Sequence, residues 1–445
     1  YFGGSVKKAV GAVMQELRGS RDKLSLRDMH AASIVAGMQC AKPGKLNVVA
    51  LEGNPGIGKT TALRVHLGKK QDGFLFLYVS PRVVINRDVT ESMARKGDGS
   101  PSGILTVTTN APLISAAERW HKDRVAQGLD TPRHIDGAVV ADGVENLKKP
   151  VGSMLVLDPE QEREIDTNYA STRLRKDTLS EHEDLVKERA LIGVLKGMAE
   201  TSRELLKENP VVNRLVLTAA LQGFRERENA KTTIDALSSL FVNKASTSAG
   251  ITERRAFAKR MPTIVVMVDE LAGDGAGARF VHSIANWLHR EFIDCFEDEP
   301  SPFTVSLVVS DASLGNEVVL DRYLNAGDRT PDKVLVSKSA GQLPFRLAAT
   351  KVKMGAGKRD TLHVMTNSFP ASDLHLHYRV QLMAVKLEMS TKEKSFGELQ
   401  TPREAIRAAA EEATLASATR QILKALQANA RQVIYFAQDL SLIHI

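Results

Sequence analysis

A chain of 445 residues has room for two to four domains, and its 43% apolar and 25% charged residues are the composition of a core-forming protein, not of a disordered or fibrous one. Lys and Arg number 60 against 53 Asp and Glu, a net charge of +7 that permits a polyanionic partner without requiring one. No apolar run approaches the ~20 residues that span a bilayer, and Cys40 and Cys295 form neither a disulfide framework nor a metal spacing. A membrane protein and a disulfide scaffold are therefore excluded, and a reducing, cytoplasmic setting is expected.

Residues 1–43 read as two helices split by the polar turn Gly19-Ser20-Arg21-Asp22, the first carrying Val6, Val10, Val13 and Leu17 at helical spacing. The mostly apolar run Leu46 to Leu51 then predicts a strand, followed by a glycine-rich loop and a short helix closed near Gly68. Two more strands are predicted over Phe74 to Val79 and Ile104 to Thr108. Such runs suit a parallel sheet covered on both faces. From about 112 to 250 the chain changes character: charge is dense between Gln161 and Ala190, and Leu191, Leu195, Met198, Leu205 and Leu206 recur at helical spacing. A large helical insertion is expected there. Strands return at Ile264–Val268 and Val305–Val309, a β-rich stretch runs through Arg346–Leu387, and a helix from Ala405 to Ala428 leads into the apolar run Val433–Phe436.

The loop after the first strand, Gly53-Asn54-Pro55-Gly56-Ile57-Gly58-Lys59-Thr60 with Thr61 behind it, has the spacing G-x4-G-K-T. Its glycines let successive amides turn inward toward phosphate oxygens, and the helix that opens near Lys59 adds its positive end. Lys59 is expected on the β- and γ-phosphates of ATP, and the Thr60 hydroxyl on Mg2+. The strand Ile264–Val268 runs into Asp269-Glu270-Leu271. Capping of a following helix is the ordinary use of such an acidic pair. Beside a phosphate loop, Asp269 is expected in the metal shell and Glu270 as general base or water-positioning residue.

The loop and the acidic pair resemble the Walker A and Walker B motifs of P-loop NTPases. The order of segments resembles superfamily 1 and 2 helicases and translocases, built from two RecA-like domains; the long stretch between Lys59 and Asp269 fits compact AAA+ modules less well. Ser80-Pro81-Arg82 look like motif Ia and Thr108-Thr109-Asn110 are similar to motif Ib, which in that family hold the nucleic-acid backbone; loop capping is the alternative for each. Ser310-Asp311-Ala312-Ser313 look like motif III, which couples ATP state to strand movement. The resemblance implies a doubly wound, mostly parallel RecA-like α/β domain at 44–345 with the insertion at about 112–250, after a helical segment at 1–43. At 346–439 it implies a β-rich connector and the start of a second RecA-like domain. It implies ATP, Mg2+, and single- or double-stranded nucleic acid as partner, with protein partners left open. A P-loop ATPase that remodels or signals through proteins is the alternative.

Two departures stand out: Ala272 takes the position that is usually Asp, His or Gln, and no clear adenine-reading Gln precedes the loop, His30 and Gln39 being the available residues. The hexapeptide 440–445 looks like a translated sequencing adapter, so the chain is expected to be a fragment lacking the second domain's arginine finger. His363, His375 and His377 read as a polar strand face sooner than a metal site, and Gly273–Gly277 as a flexible turn that could serve as a hinge.

Overall fold

The computed structural model describes residues 25–53, 56–81, 83–129, 135–169, 181–220, 233–269, 275–296, 299–311, 348–354, 360–368 and 402–428, with a few positions before residue 20. In chain order the elements are α1 (Leu26–Gln39), β1 (Leu46–Gly53), α2 (Lys59–Lys69), β2 (Phe74–Ser80), α3 (Val83–Ala94), β3 (Leu105–Thr108) and α4 (Ala111–Ala126). Then follow β4 (Gly137–Asp142), β5 (Met154–Leu157), α5 (Pro159–Tyr169), α6 (Glu181–Glu208), β6 (Arg214–Ala220) and a 3-10 helix (Thr233–Leu240). Last come α7 (Ser248–Arg260), β7 (Thr263–Asp269), α8 (Gly275–Phe292), β8 (Thr304–Asp311), β9 (Ala348–Met354), β10 (Asp360–Ser368) and α9 (Pro402–Gln427).

The ten strands form one sheet in the order β5-β4-β3-β6-β2-β7-β8-β1-β10-β9. From β3 to β10 every neighbouring pair is parallel; β4 runs antiparallel to β3, and β9 antiparallel to β10. The apolar runs explain this arrangement, because β1, β2, β6, β7 and β8 each feed two cores at once. Leu46, Val48 and Ala50 of β1 face one cluster with α6, α7 and α8, while Val49 and Leu51 face another with α1, α2 and α3. β2 divides in the same way, Leu75, Leu77 and Val79 to the first side and Phe74, Phe76 and Tyr78 to the second. A strand with only one apolar face could not be covered by helices on both sides. The α/β class and the mostly parallel sheet are thus as the apolar runs predict.

Two expectations are corrected. Residues 112–250 are not a helical insertion set apart from the sheet. They supply β4 and β5 at one edge, and β6 lies inside the sheet between β3 and β2. Leu215, Leu217 and Ala219 fill one core cluster and Val216 the other, so this short run is a fully buried strand hidden between charged helices. The segment from 346 onward does not open as a connector to a second domain. Residues Asp360–Thr366 of β10 pair in parallel with Asn47–Gly53 of β1, which places β10 and β9 in the first sheet. The chain divides into compact units Tyr1–Ala371 and Ser372–Ile445. In the second unit α9 is a 26-residue helix with Leu415, Leu423 and Leu426 exposed. The run Val433–Phe436, the strand carrying His375 and His377, and the tail 440–445 lie outside the described residues.

Candidate functional site

In a sheet of parallel strands, side chains that close the strands gather along the carboxyl edge, where ligands of open α/β sheets bind. Here that edge carries Gly53 at the end of β1, Asp311 at the end of β8, Asp269 at the end of β7 and Ser80 at the end of β2. β8 separates β1 from β7, and the register sets Glu52 beside Asp311 and Asp269 beside Ser310. Residues from opposite halves of the sequence are thereby brought to one place.

The turn from β1 to α2 needs a backbone that most side chains resist. Gly56 has φ +81° and Gly58 φ +93°, both in the left-handed region that glycine enters without a Cβ penalty. Gly58 caps α2 with no side-chain hydrogen bond, so the helix opens on backbone N–H groups that no cap residue satisfies. Lys59 bends back across this turn and its Nζ donates to the Gly53 carbonyl at 2.6 Å. An ammonium, left-handed glycines and a helix N-terminus together form a cradle for an anion. Asn54 and Pro55 lie outside the described residues; Ile57 is half-buried and Thr61 exposed.

Opposite the cradle stands Asp269, buried at 7% exposure. Two hydroxyls converge on its Oδ2: Thr60 Oγ1 donates at 2.6 Å and Tyr78 Oη at 2.9 Å. A hydroxyl that has given its hydrogen to a carboxylate keeps its lone pairs, so Thr60 Oγ1 remains able to ligate a cation. The pair Thr60 and Asp269 therefore fits a hard divalent ion that takes its remaining ligands from phosphate and water. Among the described residues no group of three or more His, Cys, Asp or Glu could hold a metal by itself. Burial, and after it the Asp269 charge, raise the Tyr78 phenol well above its ordinary pKa, so it is a constant donor. Ser310 is fully buried and its Oγ has no hydrogen-bond partner among the described residues; Asp311 is 4% exposed. Glu270 lies outside the described residues.

No protein-family model and no curated protein matches this chain. The site must therefore be judged on its own geometry.

The residues expected on nucleic acid are found in other work. Ser80 is buried and donates to Asn86 Oδ1 at 3.0 Å, Thr109 is buried and donates to the Ala138 carbonyl at 2.7 Å, and Asn110 is the N-cap of α4, accepting from the Leu113 amide at 2.8 Å. Thr108 accepts from Thr218 at 2.7 Å. Loop and strand capping is thus the role these side chains fill, and the buried hydroxyls present nothing to an outside strand; Arg82 lies outside the described residues. Of the expected glycine turn, Gly275, Ala276 and Gly277 instead open α8, and Gly273 and Asp274 lie outside the described residues.

Two residues of the site escaped sequence reasoning. Tyr78 is the one polar group inside the apolar run of β2, and a phenol there had to find a partner. Arg27 of α1 lies against the phosphate-loop turn: a Cβ at Gly58 would stand 2.8 Å from its Nε. No spacing in the sequence announces that contact. His30, one turn along the same helix, is fully buried. Burial and then the Lys59 charge push its imidazole down from 6.5 to about 4. The unfolded chain takes up a proton near 6.5 and the folded chain resists it, so the stability involved is whole above about pH 6.5 and is lost as pH falls toward 4. That loss runs to about 1.4 kcal/mol per pH unit at most. His30→Gln is expected to lose less Tm than the parent between pH 7 and pH 5 in thermal melts; equal losses contradict the assignment.

Proposed function

We propose that the chain is an ATP-hydrolysing P-loop module of the RecA-like type, working as part of a nucleic-acid helicase or translocase. The observation that carries the hydrolase reading is the 2.6 Å contact of Thr60, the first-turn hydroxyl of the glycine loop, with Asp269 at the end of a strand two places away in the sheet. A glycine turn used only for chain reversal has no need of a buried carboxylate aimed at its helix.

Backbone N–H groups of the turn and of the first turn of α2 bind the phosphates. Lys59 exchanges the Gly53 carbonyl for phosphate oxygen, neutralising charge that grows as the terminal phosphoryl group leaves. Thr60 and Asp269 hold Mg2+, which when bound screens the phosphate oxygens and orients them. Glu270 accepts a proton from the attacking water, a contribution of about 10²–10⁴ in rate. Ser310 and Asp311 end the strand between the two motifs and sense which nucleotide is present.

Support for a nucleic-acid partner comes from the order of the segments and the charge of +7. The burial of Ser80 and Thr109 and the capping by Asn110 favour the second reading, an ATPase that remodels or signals through protein partners. Turnover with and without single-stranded DNA or RNA separates them. Stimulation that weakens with salt, and more steeply in the parent than in Arg82→Ala, supports the first. Unchanged turnover supports the second.

A further inference from the structure

Thr60 and Tyr78 share one oxygen of Asp269 but hang from different parts of the fold. Thr60 sits in the first turn of α2, directly behind the loop that must adjust as phosphate enters. Tyr78 sits in β2, which pairs in parallel with β7 so that Tyr78 stands beside Met267 and reaches Asp269 on the same face, two residues further on. Its ring is fully buried and packs on Phe76 with centroids 6.2 Å apart. The Tyr78–Asp269 bond thus joins two paired strands of the sheet. We propose that Tyr78 is a positioning residue for the metal shell: its hydroxyl fixes the Asp269 carboxylate, so that the metal-bearing nucleotide meets a preset ligand. This rests on the phosphate-loop reading above.

Without the phenol, Oδ2 of Asp269 loses the hydroxyl that comes from the sheet and keeps that of Thr60, on the helix behind the phosphate loop. A second hydrogen bond to an ionised carboxylate is worth about tenfold or more in an equilibrium that depends on that carboxylate's placement. The cradle itself, formed by backbone and Lys59, does not involve Tyr78. The two kinds of binding therefore come apart.

The test uses the whole chain and a fluorescent ATP analogue, titrated in excess magnesium and again in EDTA. Tyr78→Phe is expected to weaken binding about tenfold in magnesium and to leave binding in EDTA unchanged. Should phenylalanine destabilise the fold, Tyr78→Met, which fills similar space without a hydroxyl, must show the same metal-selective loss. In an Asp269→Asn background the Tyr78 substitution must add nothing further. Equal losses in magnesium and EDTA, or no loss in either, overturn the assignment. A parent protein that binds no nucleotide in either buffer brings down the phosphate-loop reading itself. A parent that binds with magnesium dependence, joined by a Phe variant that keeps it, removes only Tyr78.

Discussion

Lys59→Ala is expected to weaken ATP binding by about 2–5 kcal/mol, thirtyfold or more, in a calorimetric titration of the whole chain. The ammonium is already drawn over the mouth of the loop, where it holds the Gly53 carbonyl at 2.6 Å. A phosphate entering the cradle replaces a neutral carbonyl with a full negative charge at the same nitrogen, and charge-assisted bonds are roughly twice as strong. Removing the side chain deletes that gain and leaves the phosphates with backbone donors only. Stability should change little, by about 1 kcal/mol, because the bond to the Gly53 carbonyl is only partly buried. Lys59→Arg should not restore affinity, since a planar fork cannot replace a compact point charge in a close turn. A variant that binds ATP as tightly as the parent contradicts the role given to Lys59.

Glu270→Gln should behave in the opposite way, with affinity kept and turnover reduced about 10²–10⁴-fold, or roughly 3–5 kcal/mol of barrier. Glutamine preserves volume and can still hold a water molecule, but it cannot accept the water's proton. The cradle is built from Gly56, Gly58, Lys59 and the start of α2. The separation is the informative part: loss of binding together with turnover would make Glu270 a ligand or a structural residue, and unchanged turnover would remove it from the reaction. Single-turnover measurement with saturating ATP reads the chemical step apart from binding.

The parts of this molecule that are legible in the sequence are those whose physics is local. β2 and the middle of β7 are unbroken apolar runs, and β1 and β8 are interrupted inside theirs only by Asn47 and Ser306, as strands buried on both faces tend to read. The phosphate loop is legible because its backbone tolerates glycine and little else at Gly56 and Gly58. That Asp269 faces Thr60 was expected from motif chemistry, and the sheet order supplies the geometry, with β8 inserted between the two strands concerned. The rest depends on partners distant in sequence. β6 shows only the short apolar run Leu215–Leu217 after the charged α6, and only the neighbouring β3 and β2 make it a central strand. β10 reads equally well as the start of a new domain until its pairing with β1 is seen. Asn110 and Ser80 have the right chemistry for phosphate contact, and the same chemistry caps helices and ties turns, a use settled by where Leu113 and Asn86 fall. Arg27 meets Gly58 through helix packing alone, a contact with no signature in spacing or composition.

The reading stands on a single meeting point, where the helix behind the glycine turn touches the carboxylate that closes β7. A crystal structure of the chain with a non-hydrolysable ATP analogue and magnesium tests it most directly. Lys59 Nζ is expected on a phosphate oxygen in place of the Gly53 carbonyl, with one magnesium ion held between Thr60 Oγ1 and the Asp269 carboxylate. Nucleotide seated elsewhere, with Lys59 still on Gly53 and no metal beside Thr60, would contradict it.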